Sequence, residues 1–205
     1  MHISEGVLSG PVLAGGAVLA LGGLALGLRE LRADDLPRVA LLAAVFFTAS
    51  LIHINIGPFS AHLLLSGLIG LVLGWAAFPA IFVGLLLQGV LFQYGGLTVL
   101  GVNTFNLAGP AAALGLIGRA VMARFGQRTA RVYGLLAGGG AILISGLLAA
   151  VSLGLSGREF APVAAAFALA HLPVSAVEAL VTLFAVQFLL QVRPGLLGLG
   201  GASRP

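Results

Sequence analysis

Residues 39–118 read VALLAAVFFTASLIHINIGPFSAHLLLSGLIGLVLGWAAFPAIFVGLLLQGVLFQYGGLTVLGVNTFNLAGPAAALGLIG, without one Asp, Glu, Lys or Arg. A helix needs about 20 apolar residues to cross a bilayer, so this stretch holds several crossings. Its punctuation divides it: Gly57-Pro58 breaks the first apolar run, Pro79 the second and Gly95-Gly96 the third. Working outward to both ends of the chain gives spans at 11–28, 39–56, 62–77, 79–93, 103–122, 132–156 and 170–192. The reading is an all-α integral membrane protein of about seven transmembrane helices, forming one transmembrane domain over 1–205. The two spans beside Pro79 are short and read as tilted or partly re-entrant. The apolar stretch 160–170 is too short to cross and reads as a lead-in near the interface.

Composition agrees. Only 8% of the 205 residues are charged and 60% are hydrophobic, against roughly a quarter charged in soluble domains, and mean hydropathy is +1.14. No room is left for a separate soluble domain. The 31 glycines and small-xxx-small pairs such as Gly70/Gly74 point to close helix packing. The absence of cysteine excludes disulfides, thiolate metal sites and iron–sulfur clusters. All ten cationic side chains are arginine, so the lysine that a P-loop places on nucleotide phosphates is missing. ATP-driven transport by this chain would require a separate ATPase. The chain is not read as an enzyme, nucleic acid is not an expected partner, and no resident cofactor is implied.

The arginines give the orientation. Arg29, Arg32 and Arg38 lie in the first loop, Arg119, Arg124, Arg128 and Arg131 in the 119–131 loop, and Arg193 and Arg204 in the tail. With seven spans and the N-terminus outside, these nine are cytoplasmic and only Arg158 is external, as the positive-inside rule requires. The C-terminus is then cytoplasmic and the protein is multi-pass in the cell (inner or plasma) membrane. The same parity puts His2, His53, His62 and His171 at the outer end of the bundle, with Glu5 and Glu159.

Met1-His2 is a potential chelator. A terminal amine, the deprotonated His2 amide and the His2 imidazole can close a five- and a six-membered ring on one metal ion. One corner of a square plane stays open, a geometry that divalent nickel and copper favour with nitrogen ligands. Residues 1–11 lack the basic start of a signal peptide, and a bulky second residue disfavours removal of Met1, so a retained, unblocked Met1 is expected. His62, after the Gly-Pro turn, is on the correct side to complete the chelate; hydrogen bonding within an outer loop is an equally good reading. His53 lies in an apolar run and reads as an interhelical contact or a residue that orients a ligand. Gln88, Gln93, Thr98, Asn103 and Asn106 cluster in a chain otherwise poor in such groups, and either cap helices or brace the loops around a site. Glu178 follows His171 by about two helical turns. A proton relay, an ion pair with arginine and a hydrogen bond to a neighbouring helix all remain open for it.

Together these motifs resemble the CbiM/NikM family, the substrate-capture (S) components of cobalt and nickel energy-coupling-factor transporters. The start Met1-His2-Ile3-Ser4-Glu5-Gly6-Val7-Leu8 resembles the family's MHI-x-[DE]-G-x-L. Residues 88–106 resemble its QALLF-x-x-GGL-x-x-LG-x-N-x-x-N signature. Ser60-Ala61-His62 falls where the family carries an internal metal-binding histidine, and His171-Leu-Pro-Val…Glu178…Thr182 resembles its last helix. The resemblance implies six core helices plus an N-terminal helix that delivers Met1 and His2 into the core. It implies uptake of Co²⁺ or Ni²⁺ held by the Met1 amine, the His2 amide and imidazole, and His62, with Glu5, His53, Gln88, Asn103, Asn106, His171 and Glu178 around them. It also implies a transmembrane coupling (T) subunit, cytoplasmic ABC-type ATPases and a small accessory membrane protein. The loop before His62, Gly-Pro-Phe-Ser-Ala, departs from the Gly-rich or Cys-containing forms of well-known members and leaves cobalt and nickel unresolved. The rival reading is a proton- or cation-coupled carrier that uses Glu178 and the histidines without an ATPase.

Overall fold

A computed structural model describes residues 3–56 and 59–199, with side chains outside 53–61. Among them are seven α-helices: α1 Gly10–Glu30, α2 Leu36–Ala49, α3 Ser66–Leu73, α4 Ala77–Phe92, α5 Leu100–Phe125, α6 Gln127–Ser156 and α7 Ala161–Val192. Five segments are long and apolar enough to cross a membrane: Gly10–Glu30, Ser66–Phe92, Leu100–Phe125, Gln127–Ser156 and Arg158–Val192.

Three boundaries differ from the sequence reading. The span read as 39–56 stops at Ala49, and the chain then forms a two-stranded antiparallel hairpin, β1 His53–Ile56 with β2 Phe59–His62, in the register His53↔His62. Ile54 and Ile56 looked like a helix continuing, but β-branched residues suit a strand as well. The bundle is all-helical apart from this one small hairpin. Second, the break between α3 and α4 falls at Gly74, which has φ 59°, a conformation easy only for glycine. Pro79 instead sits in the first turn of α4, where a missing N–H costs nothing. Third, 160–170 is not separate from the last span: α7 runs unbroken from Ala161 through Pro173 to Val192.

Inter-helix contacts fix the directions. Gly16 of α1 lies against Val102 of α5 and Gly27 against Trp75 and Pro79, so α1 runs from the start of α5 to the α3–α4 turn. α3 descends beside α5, with Gly70 on Ala111 and Gly74 beside Leu116 and Arg119. α4 returns past Gly84, which receives the buried Phe46 ring of α2. α6 and α7 are antiparallel, with Gly134 against Leu183, Gly138 against Thr182 and Gly146 against His171. One end of the bundle thus gathers the N-terminal segment, the hairpin and the α4–α5 loop. The opposite end carries Arg29, Arg32, Arg38, Arg119, Arg124, Arg128 and Arg131 on its turns and helix termini.

Candidate metal centre

The N-terminal segment is docked residue by residue. Ile3 and Leu8 are buried in a small apolar cluster with Val99, Val102, Ala149 and Leu153. The Asn103 side-chain amide pairs with both backbone groups of Ile3: Ile3 N donates to Oδ1 at 3.1 Å and Nδ2 donates to the Ile3 carbonyl at 3.1 Å. Two residues on, Glu5 N donates to the Gly95 carbonyl at 3.0 Å, and Thr98 N donates to Glu5 Oε1 at 2.9 Å. That donated N–H holds the Glu5 carboxyl below the usual carboxylate range. Gly96 must be glycine here: its φ is 125°, and a Cβ would overlap the Glu5 side chain. Ser9 N closes the segment by donating to Ser156 Oγ at 3.1 Å.

At the same end, His62 is 8% exposed and its Nδ1 lies 2.8 Å from the Ser50 carbonyl oxygen. A carbonyl only accepts, so Nδ1 carries the proton and Nε2 is the unprotonated nitrogen of the neutral ring, the form that binds metals. Ser50 is itself fixed: its Oγ donates to the Phe47 carbonyl at 2.6 Å and accepts from Gln88 Nε2 at 2.8 Å. The Tyr94 ring lies 5.6 Å from the His62 ring. Tyr94 precedes Gly95, the residue that accepts from Glu5, so two adjacent loop residues link His62 to the docked N-terminal segment.

Met1 and His2 lie outside the described residues; Asn103 grips the residue directly after them. His53 stands opposite His62 in the hairpin register, and its side chain is outside the description. Asn106 joins α5 to α6, its Nδ2 3.5 Å from Ser152 Oγ. His171 is buried, with Nδ1 2.6 Å from the Phe167 carbonyl, its ring 4.5 Å from that of Phe167 and its side chain against Gly146, a place between α6 and α7. Glu178 is fully buried and accepts the backbone N–H groups of Leu64 and Leu65. Among the described residues, no three His, Cys, Asp or Glu side chains gather as a metal site.

Sequence reasoning missed Ser50, Tyr94 and Arg119. Ser50 follows Thr48 at the end of an apolar helix and gives no signal beyond that of a helix cap. Arg119 reads as a loop arginine, yet its guanidinium donates to the Leu71 carbonyl at 2.8 Å and to that of Val72, covering the last carbonyls of α3.

The family model for CbiM, the cobalt uptake substrate-specific transmembrane region, matches residues 2–196. A protein of Haemophilus influenzae assigned to metal transport is 41% identical over 95% of each chain. The cobalt transport protein CbiM of Sorangium cellulosum is 32% identical over 96% of this chain and 94% of its own. The fused nickel transport protein NikMN of Rhodobacter capsulatus is 36% identical over 82% of this chain, which spans 54% of that longer protein. A solved transition metal transporter superposes with a TM-score of 0.79 at 27% identity, covering 94% of this chain and 93% of its own. A truncated transition metal transporter gives 0.77 at 28% identity over 93% and 99%. On its sequence, its apolar helices and its fold, this multi-pass membrane protein belongs to the CbiM family, the transmembrane components of cobalt and nickel uptake.

Proposed function

We propose that this chain is the substrate-capture component of an ATP-driven energy-coupling-factor transporter for divalent cobalt or nickel. The ion is held by the Met1 amine, the amide and imidazole nitrogens of His2, and His62 Nε2. The observation that carries this reading is the pairing of two independently fixed parts at one end of the bundle. Asn103 clamps the backbone of Ile3, and the Ser50 carbonyl holds the His62 proton on Nδ1, so that Nε2 is the unprotonated nitrogen. Nitrogen ligands of this kind suit nickel and cobalt rather than magnesium or calcium.

In this reading all seven helices are spans, counting α2 with its hairpin and α3 with the 62–65 segment. The N-terminus is outside and the arginine-rich end is cytoplasmic. A transmembrane coupling subunit joins the chain; support comes from the fused cobalt transport protein CbiMQ of Methanocorpusculum labreanum and from the NikMN fusions. Cytoplasmic ABC-type ATPases supply the energy, because a lysine-free chain holds no P-loop, and a small accessory membrane protein completes the set. A coupled carrier working through Glu178 is less well supported, since both Glu178 oxygens already accept backbone amides.

Blocking the N-terminus tests the proposal. Protein with a C-terminal tag and a Met1 start verified by mass spectrometry should hold about one Ni²⁺ or Co²⁺ per chain. The same protein with residues added before Met1 should hold almost none, because the amine lone pair is lost and the chelate rings cannot close. Equal loading of both removes the terminal amine from the site.

A further inference from the structure

Four consecutive residues leading from the hairpin into α3 are each held by a different bond. His62 is held through Nδ1 by Ser50, and Leu63 N donates to the Ile52 carbonyl at 3.3 Å. Leu64 N and Leu65 N both donate to the Glu178 carboxylate, Leu65 at 2.9 Å to Oε1 and 3.0 Å to Oε2. The first two bonds lie within the segment's own surroundings at the end of α2. Glu178 comes from α7, more than a hundred residues away in sequence. Its own helix is seated on α6 at Gly138, where a Cβ would stand 2.6 Å from the Glu178 carbonyl oxygen and 2.6 Å from Thr182 Oγ1.

Leu65 shows what the carboxylate accomplishes. Its φ of 55° and ψ of 23° are left-handed, a conformation a branched side chain adopts only where the surroundings over-determine it. The next residue, Ser66, begins α3. Two amides converging on one carboxylate are what turns the chain here. Without it, Leu64 and Leu65 N–H would be left in a buried position with no acceptor, and Leu65 would relax toward an ordinary conformation. That relaxation would re-aim β2, whose last residue, His62, is three positions upstream of Leu65.

We infer that Glu178 is a positioning residue for metal capture: it fixes the Leu64–Leu65 backbone so that His62 Nε2 meets the ion held by the N-terminal segment. The inference rests on the reading of His62 as a ligand. Glu178 touches no metal and shuttles no proton; it acts through the chain that carries His62, as groups behind a ligand set its direction at other metal sites.

The experiment is a two-by-two set of variants, Glu178→Gln, His62→Ala and both together, purified in detergent with a C-terminal tag and titrated with Ni²⁺ alone. Glutamine keeps the size of glutamate, but its NH₂ group would face the Leu65 N–H that Oε2 now accepts. Ni²⁺ affinity of E178Q should fall by about tenfold or more. The visible absorption of its bound Ni²⁺ should move toward that of H62A, and the double variant should bind no more weakly than H62A. Glu178→Asp, which keeps the charge but withdraws it by one methylene, should lie between wild type and E178Q. Wild-type affinity and spectrum in E178Q beside a crippled H62A overturn the inference alone. So does a loss that adds in full to that of H62A. Failure of both the Gln and Asp variants to give folded monomer also overturns it, by assigning Glu178 to the fold as a whole. Wild-type binding by H62A removes His62 from the ligand set, and this inference falls with it.

Discussion

The α3–α5–α6–α7 side of the bundle and the end built from residues 3–9, the hairpin and the α4–α5 loop are held together by different physics. Among the helices, backbone meets backbone through glycine. A Cβ at Gly70 would overlap the Ala111 carbonyl, one at Gly115 the Gly70 carbonyl, and one at Gly67 the Ala137 carbonyl. At the site end, irregular backbone is caught by side chains: Asn103 on Ile3, Glu5 on Thr98, His62 on Ser50, Glu178 on Leu64 and Leu65. Lipid gives helices no hydrophobic reason to associate, so they approach until dispersion contacts accumulate, and glycine permits this. Non-helical backbone at membrane depth must instead have each polar group satisfied by protein. The first device makes a frame, and the second holds a few ligands in one place.

The largest effect that tests this contrast lies in the frame. Gly70→Leu places a side chain where Ala111 backbone already stands, and backbone cannot yield as a flexible side chain can. The expected cost is about 3 kcal/mol or more, at or above the top of the usual range for overpacked cores. Gly22→Leu, on an exposed face of α1 with nothing near its Cβ, should change stability by about 0.5 kcal/mol at most. Thermal unfolding and size-exclusion profiles in detergent decide it: similar behaviour of the two variants would mean that α3 is not locked by backbone contact.

Asn103→Leu comes next and should separate the two regions. It removes both bonds to Ile3 while keeping the volume within α5. Two buried hydrogen bonds at about 1 kcal/mol each correspond to roughly thirtyfold in metal affinity, because the segment that carries the chelating residues loses its clamp. The frame should lose little, so the unfolding midpoint should fall much less than in Gly70→Leu. A large drop in midpoint with unchanged affinity would place Asn103 in the frame rather than at the site.

What the sequence disclosed follows the same division. The frame was legible because an uncharged stretch of eighty residues broken by Gly and Pro can only be membrane helices, and the predicted interruption near Gly95 is where α4 ends and two glycines turn with positive φ. Punctuation misled where a residue's role depends on its neighbours. Pro79 reads as a breaker but serves as a first-turn residue, while Gly74, seemingly one more packing glycine, makes the turn beside Arg119. The hairpin was overlooked although His53-Ile-Asn-Ile alternates polar and apolar residues, because four residues of that period, following directly on an apolar helix, are too few to decide between strand and helix. At the site, His62, Gln88, Asn103 and Glu178 stood out as polar groups in an apolar chain. Their partners did not, being mostly backbone groups of Ser50, Ile3, Leu64 and Leu65, and a backbone group leaves no mark in a sequence. The left-handed Leu65 had none of the usual glycine or asparagine signal.

The smallest effect concerns Glu5, an exposed carboxylate that helps dock the N-terminal segment on the α4–α5 loop. Its pKa is lowered from the ordinary value near 4.5, chiefly because the Thr98 N–H donates to the ionised form. The sign follows from linkage: the folded state favours the carboxylate, so its contribution is complete above the unfolded value and is lost as pH falls through the lowered folded value. Between neutrality and about pH 5 the docking of residues 3–9 should not change on account of Glu5, and it should loosen only in more acidic solution. Glu5→Gln keeps an oxygen for Thr98 and removes the titration. Hydrogen exchange at the Thr98 amide, corrected for intrinsic rates and followed from about pH 7 to pH 3, should show protection falling at the acid end in the wild type and staying flat in the variant. A fall already complete between pH 7 and 6 in both would show that a different group governs this contact and that the Glu5–Thr98 bond contributes little to holding the segment.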